Sequence, residues 1–166
     1  MRIHPETLKG LIDYNPNTGL LRWKRRGVEF FKAGERQVNS WSSWNSRNAG
    51  MPCFCTLSNG YLCGKVFGTT LKAHRVAWAI HTGAWPEDEI DHINRNKKDN
   101  RIENLRQSDR SLNNLNKKIS KTNKTGFKGV HAHNDGGFVA KYRSKYLGIF
   151  LTVEDAVAAV SSEKLR

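Results

Sequence analysis

Ile90-Asp91-His92-Ile93-Asn94-Arg95-Asn96-Lys97-Lys98-Asp99-Asn100-Arg101-Ile102-Glu103-Asn104-Leu105-Arg106 is the stretch around which the rest of the chain is organised. It continues through Gln107-Ser108-Asp109-Arg110-Ser111-Leu112-Asn113-Asn114-Leu115-Asn116. An acidic residue and a histidine stand side by side, followed by an Asn-rich polar loop and then a short helix that carries more Asn. Adjacent strand residues point to opposite faces, so Asp91 and His92 can converge only where a strand ends and turns. Asn side chains bond nearby backbone, which suits Asn100 and Asn104 to a loop that fixes the orientation of a neighbouring imidazole.

The residue types suggest a chemistry. A carboxylate and an amide oxygen are ligands for a hard cation such as Mg²⁺, and an imidazole beside them can take a proton. Hydrolysis of a phosphodiester needs both, because charge on the scissile phosphate and on the leaving oxygen must be neutralised while a water is deprotonated.

Asp91-His92, Asp99-Asn100-Arg101-Ile102, Asn104-Leu105-Arg106 and Asn113 together resemble the HNH, or ββα-metal, nucleases, in the subgroup that holds many phage and intron homing endonucleases. The resemblance implies a divalent metal, Mg²⁺ with Mn²⁺ able to replace it, held by Asp91 and Asn113. It implies His92 as general base and Asn100 as the residue that orients it. Asn114 and Asn116 leave the register of the helical ligand open between Asn113 and Asn116.

Composition agrees with a polyanionic partner. The 166 residues hold 28 Lys+Arg against 15 Asp+Glu, a net charge of +13. The charge is uneven, at +5 over residues 1–90, +7 over 91–128 and +1 over 129–166. The densest run lies on the candidate site, where a solvated face is the bland alternative to phosphate contacts. The expected contacts are Arg95, Lys97, Lys98, Arg101, Arg106, Arg110, Lys117, Lys121 and Lys124, and the expected partner is double-stranded DNA. No apolar run is long enough for a membrane span, and Met1-Arg2-Ile3-His4-Pro5-Glu6 lacks a signal-peptide core. The expected location is a cytoplasm, that of a bacterial host if the chain is phage-encoded. Cys53, Cys55 and Cys63 lack paired Cys-x-x-Cys spacing and read as reduced, partly buried thiols.

Ahead of the central stretch, Pro5 to Ile12 predicts a short helix that stops near Asp13. Tyr14-Asn15-Pro16-Asn17-Thr18-Gly19 is turn chemistry leading into a strand at Leu20-Leu21-Arg22-Trp23. This opening is also similar to the N-terminal part of many phage HNH proteins. Residues 27–50 lack a sustained period and read as a loop or insertion, with Trp41 and Trp44 more apt to cap the core than to stack on bases. Asn59-Gly60 predicts a hairpin between the Cys53–Leu57 and Tyr61–Phe67 runs. Lys72 to His81 reads as a helix with Ala73, Val76, Ala77 and Ile80 on one face, ended by Gly83 and Pro86. Its His-Arg-x-x-Trp pattern is expected to pack it against the metal centre, with His74 and His81 structural.

Residues 117–125 read as a basic linker. Beyond it, Phe127–His133, Phe138–Arg143 and Lys145–Phe150 predict three strands, and Thr152 caps a helix from Val153 with Glu154 and Asp155 in its first turn. Gly-x-x-Gly-Val, Phe-Val-Ala, Tyr-Leu-Gly-x-Phe and Thr-x-Glu-Asp-Ala resemble an AP2 DNA-binding domain. That resemblance implies DNA contacts from Lys128, His131, His133, Lys141 and Arg143.

The expected architecture is therefore α+β. Residues 1–116 form an HNH nuclease domain of small hairpins and a helix around a ββα-metal motif at about 88–118, 117–125 a linker, and 126–166 a three-stranded sheet plus helix. The expected activity is metal-dependent endonuclease, nicking one strand as a monomer. A DNA-binding regulator on an inactive HNH scaffold is the alternative, and an RNA-binding module a weaker third, since no RRM- or KH-type motif occurs.

Overall fold

The structure, a computed structural model, describes residues 3–109, 113–114 and 116–165 and is mixed α+β. The chain forms two compact units, Met1–Gln107 and Ser108–Arg166. Among the described residues no helix is long and apolar enough to cross a membrane.

In the first unit, helix α1 (Pro5–Leu11) begins with proline at its first turn and buries Leu8 and Leu11. It runs directly into β1 (Ile12–Tyr14), which pairs antiparallel with β2 (Leu21–Trp23) in the register Ile12↔Trp23, Tyr14↔Leu21. The turn between them is closed by Asn15, whose Oδ1 accepts from the backbone N–H groups of Asn17 and Thr18 at 3.0 and 3.1 Å. Gly19 sits there at φ +73°, a left-handed conformation that costs a side-chain-bearing residue.

Residues 27–50 are not the loop that their aperiodic sequence predicts, because Gln37–Asn48 form a helix, α2. Its hold on the unit is tertiary. Asn45 bonds both backbone groups of Arg26 (2.9 and 3.0 Å), and the Trp41 indole donates to the Arg26 carbonyl at 2.8 Å. The Arg26 guanidinium lies 3.8 Å over the Trp44 ring and 4.7 Å over Trp23, and Trp44 meets Trp23, itself packed on the core, edge-on at 5.7 Å.

The Asn59-Gly60 hairpin forms, joining β3 (Thr56–Ser58) to β4 (Tyr61–Val66), and a third strand, β5 (Thr69–Lys72), extends the sheet on the other side of β4. Helix α3 (Ala73–Thr82) follows without a break and buries Ala73, His74, Val76, Ala77 and Ala79. Leu8, Leu11, Ile12, Leu21, Phe54, Val66 and Val76 make the main core. A smaller cluster of Ala77, Ile90 and Leu105 joins α3 to the two-stranded sheet of β6 (Glu89–His92) and β7 (Leu105–Ser108). Cys53 and Cys63 are buried and Cys55 exposed, all as free thiols, and burial pushes the Cys53 thiol up to about 12.

In the second unit, β9 (Phe138–Tyr142) lies between β8 (Val130–Ala132) and β10 (Lys145–Phe150), all antiparallel. Helix α4 (Val153–Lys164) packs on this sheet through Val130, Ala140 and Ala156, and Thr152 caps it by accepting from the Asp155 N–H at 3.2 Å. Gly129 is at φ +78° with the Lys141 carbonyl where a Cβ would stand, which explains a glycine just before β8. Residues 117–125 fold locally around Asn123, whose side chain bonds the backbone of Thr125, Gly126, Phe127 and Val130.

Candidate active site

Strand β6 delivers Asp91 and His92 to its end, both buried, and the chain reverses there with Arg95 at φ +63° donating its N–H to the His92 carbonyl at 2.9 Å. The His92 Nε2 lies 3.3 Å from the Oδ1 of Asn100, itself only 2% exposed. An amide oxygen only accepts, so Nε2 carries the hydrogen and the ring's lone pair is on Nδ1, the atom that can receive a proton. Burial lowers the His92 pKa below its ordinary value, while the Asn100 bond and the Asp91 and Asp99 charges push the other way. The imidazole is therefore neutral at physiological pH, the form a base requires.

The His92 ring packs against aromatic rings. His74, from α3, meets it edge-on at 5.0 Å, and Tyr61, from β4, lies 5.9 Å from His92 and 4.9 Å from His74. The expected packing of the His-Arg-x-x-Trp helix against the site is thus made by His74, and Arg75 ties the helix to the backbone of Pro86 and Asp88 at 3.2 and 3.0 Å. Burial first, then the charges of His92, Lys72 and Arg75, hold His74 down to about 3.

The loop between β6 and β7 is held by its own polar side chains. Asp99 accepts from Arg101 Nε and Nη2 (2.9 and 2.8 Å) and from Asn94 Nδ2 (2.7 Å), and Arg101 draws its carboxyl down to about 2. Asn104 donates to the Asp99 carbonyl at 2.8 Å and accepts from the Asn94 N–H at 2.9 Å. Asn104 is thus a fixing residue of the loop. From behind, the Tyr14 hydroxyl donates to the Asn100 carbonyl at 2.7 Å, and burial raises the Tyr14 pKa to about 12.

Two of the arginines expected on DNA are engaged within the unit. Arg106 places Nε and Nη2 on Asp91 Oδ2 at 3.1 and 2.8 Å, and Arg101 bridges Asp99 and Glu103. Lys97 lies 4.4 Å over the Tyr61 ring and donates to the Asn59 carbonyl at 3.2 Å, with Lys72 4.8 Å from the same ring. Arg95 and Lys98 are exposed on the loop. Sequence reasoning missed Tyr14, Tyr61 and Lys72. They stand in the sequence within a turn, a strand and a helix start, and nothing in their spacing places them at the site.

Asn113 belongs to the second unit, half-buried at a helical position, with its N–H on the Asp109 carbonyl at 3.0 Å. Arg110 lies outside the described residues. Lys117, Lys121 and Lys124 are exposed, Lys117 with its ammonium on Asn114 Oδ1 at 2.7 Å. Lys128, His131, Lys141 and Arg143 line one groove of about 590 Å³ with Lys118 and Asn123, and His133 stands apart beside Asp135 at 3.8 Å.

No cluster of three or more His, Cys, Asp or Glu suited to a metal occurs among the described residues. What Asp91 offers is a buried carboxylate, its rotamer fixed by two N–H donors on Oδ2. Carboxylate and amide oxygens are hard donors, which fits Mg²⁺ better than a soft, thiolate-seeking ion.

The family model described as HNH endonuclease matches residues 71–115, a segment that runs from β5 through α3, β6 and β7 to the Asn-rich helical positions. The match points to a nuclease with a DNA substrate. No curated protein and no solved structure matches the chain.

Proposed function

We propose that the protein is a metal-dependent DNA endonuclease of the HNH homing type, phage-encoded and cytoplasmic, in which His92 is the general base. The observation that carries this reading is the buried pair of His92 Nε2 and Asn100 Oδ1 at 3.3 Å beside Asp91. Asn100 holds the tautomer, Nδ1 takes a proton from water, and the hydroxide formed attacks phosphorus with the 3′-oxygen leaving. Asp91 and Asn113 would hold Mg²⁺, or Mn²⁺ in its place, and that ion when bound offsets charge on the phosphate and the leaving oxygen. The aromatic wall of His74 and Tyr61 restricts the imidazole to the orientation that Asn100 selects.

In the same reading the second unit supplies site preference as an AP2-like reader. The support is its basic groove, where Lys128, His131, Lys141 and Arg143 share one surface. Lys97, Lys98 and Arg95, and the lysines of 117–124, contribute sequence-independent phosphate contacts. A second reading, a DNA-binding protein without catalysis, draws on the Arg106–Asp91 ion pair, because a guanidinium already neutralises the carboxylate that an ion would need.

Supercoiled plasmid carrying host DNA separates the two. With Mg²⁺, open circles form first and linear DNA later, since a monomer has one Asp-His pair and one reaction centre. EDTA abolishes the reaction. Plasmid bound but uncut at any Mg²⁺ or Mn²⁺ concentration favours the second reading, and linear product with no open-circle intermediate contradicts a lone centre.

A further inference from the structure

An orienting amide is useful only if its own backbone is fixed, because a productive site tolerates displacements of no more than about 0.5 Å. Asn100 lies in a loop of polar residues, and much of what holds its main chain comes from the opposite end of the first unit. The Tyr14 hydroxyl donates to the Asn100 carbonyl at 2.7 Å across 86 positions of sequence. The Ile102 N–H donates to the Pro16 carbonyl at 3.0 Å. Gly19 lies so close that a Cβ there would stand 2.6 Å from the Arg101 nitrogen and 2.7 Å from the Asn100 carbonyl carbon. The hairpin that makes these contacts is stiff, since Asn15 takes the N–H groups of Asn17 and Thr18 on its side chain and that of Gly19 on its carbonyl, the last at 2.8 Å.

We propose that the β1–β2 hairpin, which lies outside the segment matched at 71–115, belongs to the catalytic apparatus, with Tyr14 as a positioning residue that acts on His92 through Asn100. The proposal rests on the reading of His92 and Asn100 as base and orienting residue. Tyr14 touches neither substrate nor metal in this scheme. Its hydroxyl sets the Asn100 peptide plane, the side chain of Asn100 inherits that setting, and the His92 Nε2–H finds its acceptor. Residues 14–19 are therefore required for turnover and dispensable for DNA affinity.

The test uses the full-length chain as wild type, Tyr14→Phe, Asn100→Ala and the double variant. Single-turnover nicking rates and plasmid affinity are measured for each, together with the His92 Nε2–H proton signal in the DNA-free protein. Tyr14→Phe keeps the ring in the core and removes one donor. It is expected to slow nicking about tenfold, the kinetic worth of one hydrogen bond, with affinity within about twofold. In the Asn100→Ala background it should have no further effect, because the two residues act in series. The Nε2–H signal, sharp in the wild type, should broaden or vanish in Tyr14→Phe.

An equal slowing in both backgrounds, or a Nε2–H signal unchanged by Tyr14→Phe, overturns the proposal while leaving the nuclease reading intact. Normal nicking by Asn100→Ala overturns the orienting role on which the proposal depends. In that case the proton signal still reports whether Tyr14 sets the His92 pair. Should Tyr14→Phe fail to fold, exchange of the Tyr14 hydroxyl proton in the wild-type chain decides: slow exchange with solvent supports the bond to the Asn100 carbonyl, and exchange as fast as that of a free tyrosine overturns the proposal.

Discussion

His74 is a buried imidazole with a cost that can be measured. It is 4% exposed, its Nδ1 is buried with no hydrogen-bond partner, and its pKa is held down to about 3, first by burial and then by neighbouring positive charge. In the unfolded chain the same group titrates near its ordinary value of 6.5. The folded pKa lies below the unfolded one, so as pH falls from about 6.5 toward 3 the unfolded state takes up a proton that the folded state refuses, and stability is lost across that window. Each pH unit inside it removes about 1.4 kcal/mol, which amounts to about 2 kcal/mol between pH 7 and pH 5. His74→Phe keeps a flat ring against Tyr61 and His92 and removes the titration. Urea unfolding followed by tryptophan fluorescence at pH 7, 6 and 5 should therefore show the variant gaining on wild type by about 2 kcal/mol from pH 7 to pH 5, whatever their difference at pH 7. Parallel profiles would refute the claim that His74 is buried neutral.

Other consequences are as direct. Gly19→Ala places a methyl group against the backbone of Asn100 and Arg101 at a left-handed residue, and should cost about 2 kcal/mol or more in urea unfolding while slowing nicking; an unchanged midpoint and rate would mean that the turn does not bear on the loop. A chain ending at Ser120 should keep Mg²⁺-dependent cutting but lose site preference and some affinity, and a cleavage-site map identical to full length would place the reader in the first unit. Because burial lowers the His92 pKa, the acid limb of the nicking rate should fall below pH 6.5. A limb centred above that value would point to a different titrating base.

The reach of sequence reasoning here follows the range of the interactions. His92 and Asn100 are close in sequence, and the chemistry of a strand end and an Asn-rich loop is local, so their meeting was legible. Likewise the Asn59-Gly60 turn, the α3 periodicity and the Thr152 cap are signals carried within a few residues. Helix α2 was illegible because its stability comes from Arg26 seated on Trp44 and bonded by Asn45, contacts that leave no apolar period in 37–48. Arg101 and Arg106 read as phosphate contacts because a run of cations does not say which are already paired, and the structure pairs them with Asp99 and Asp91. Tyr14 stands within a turn motif, yet a bond spanning 86 positions has no trace in spacing. Asn113 lies in the second unit, and its proposed role as a ligand rests on resemblance and on the chemistry of its amide.

The role of His92 is tested most directly by His92→Ala on supercoiled plasmid in Mg²⁺, with nicking rate and DNA retention measured on the same preparation. If Nδ1 of this ring is the base, nicking falls by about two orders of magnitude or more while retention stays within a few-fold of wild type. Nicking at the wild-type rate, or an equal loss of rate and retention in a folded variant, would contradict it.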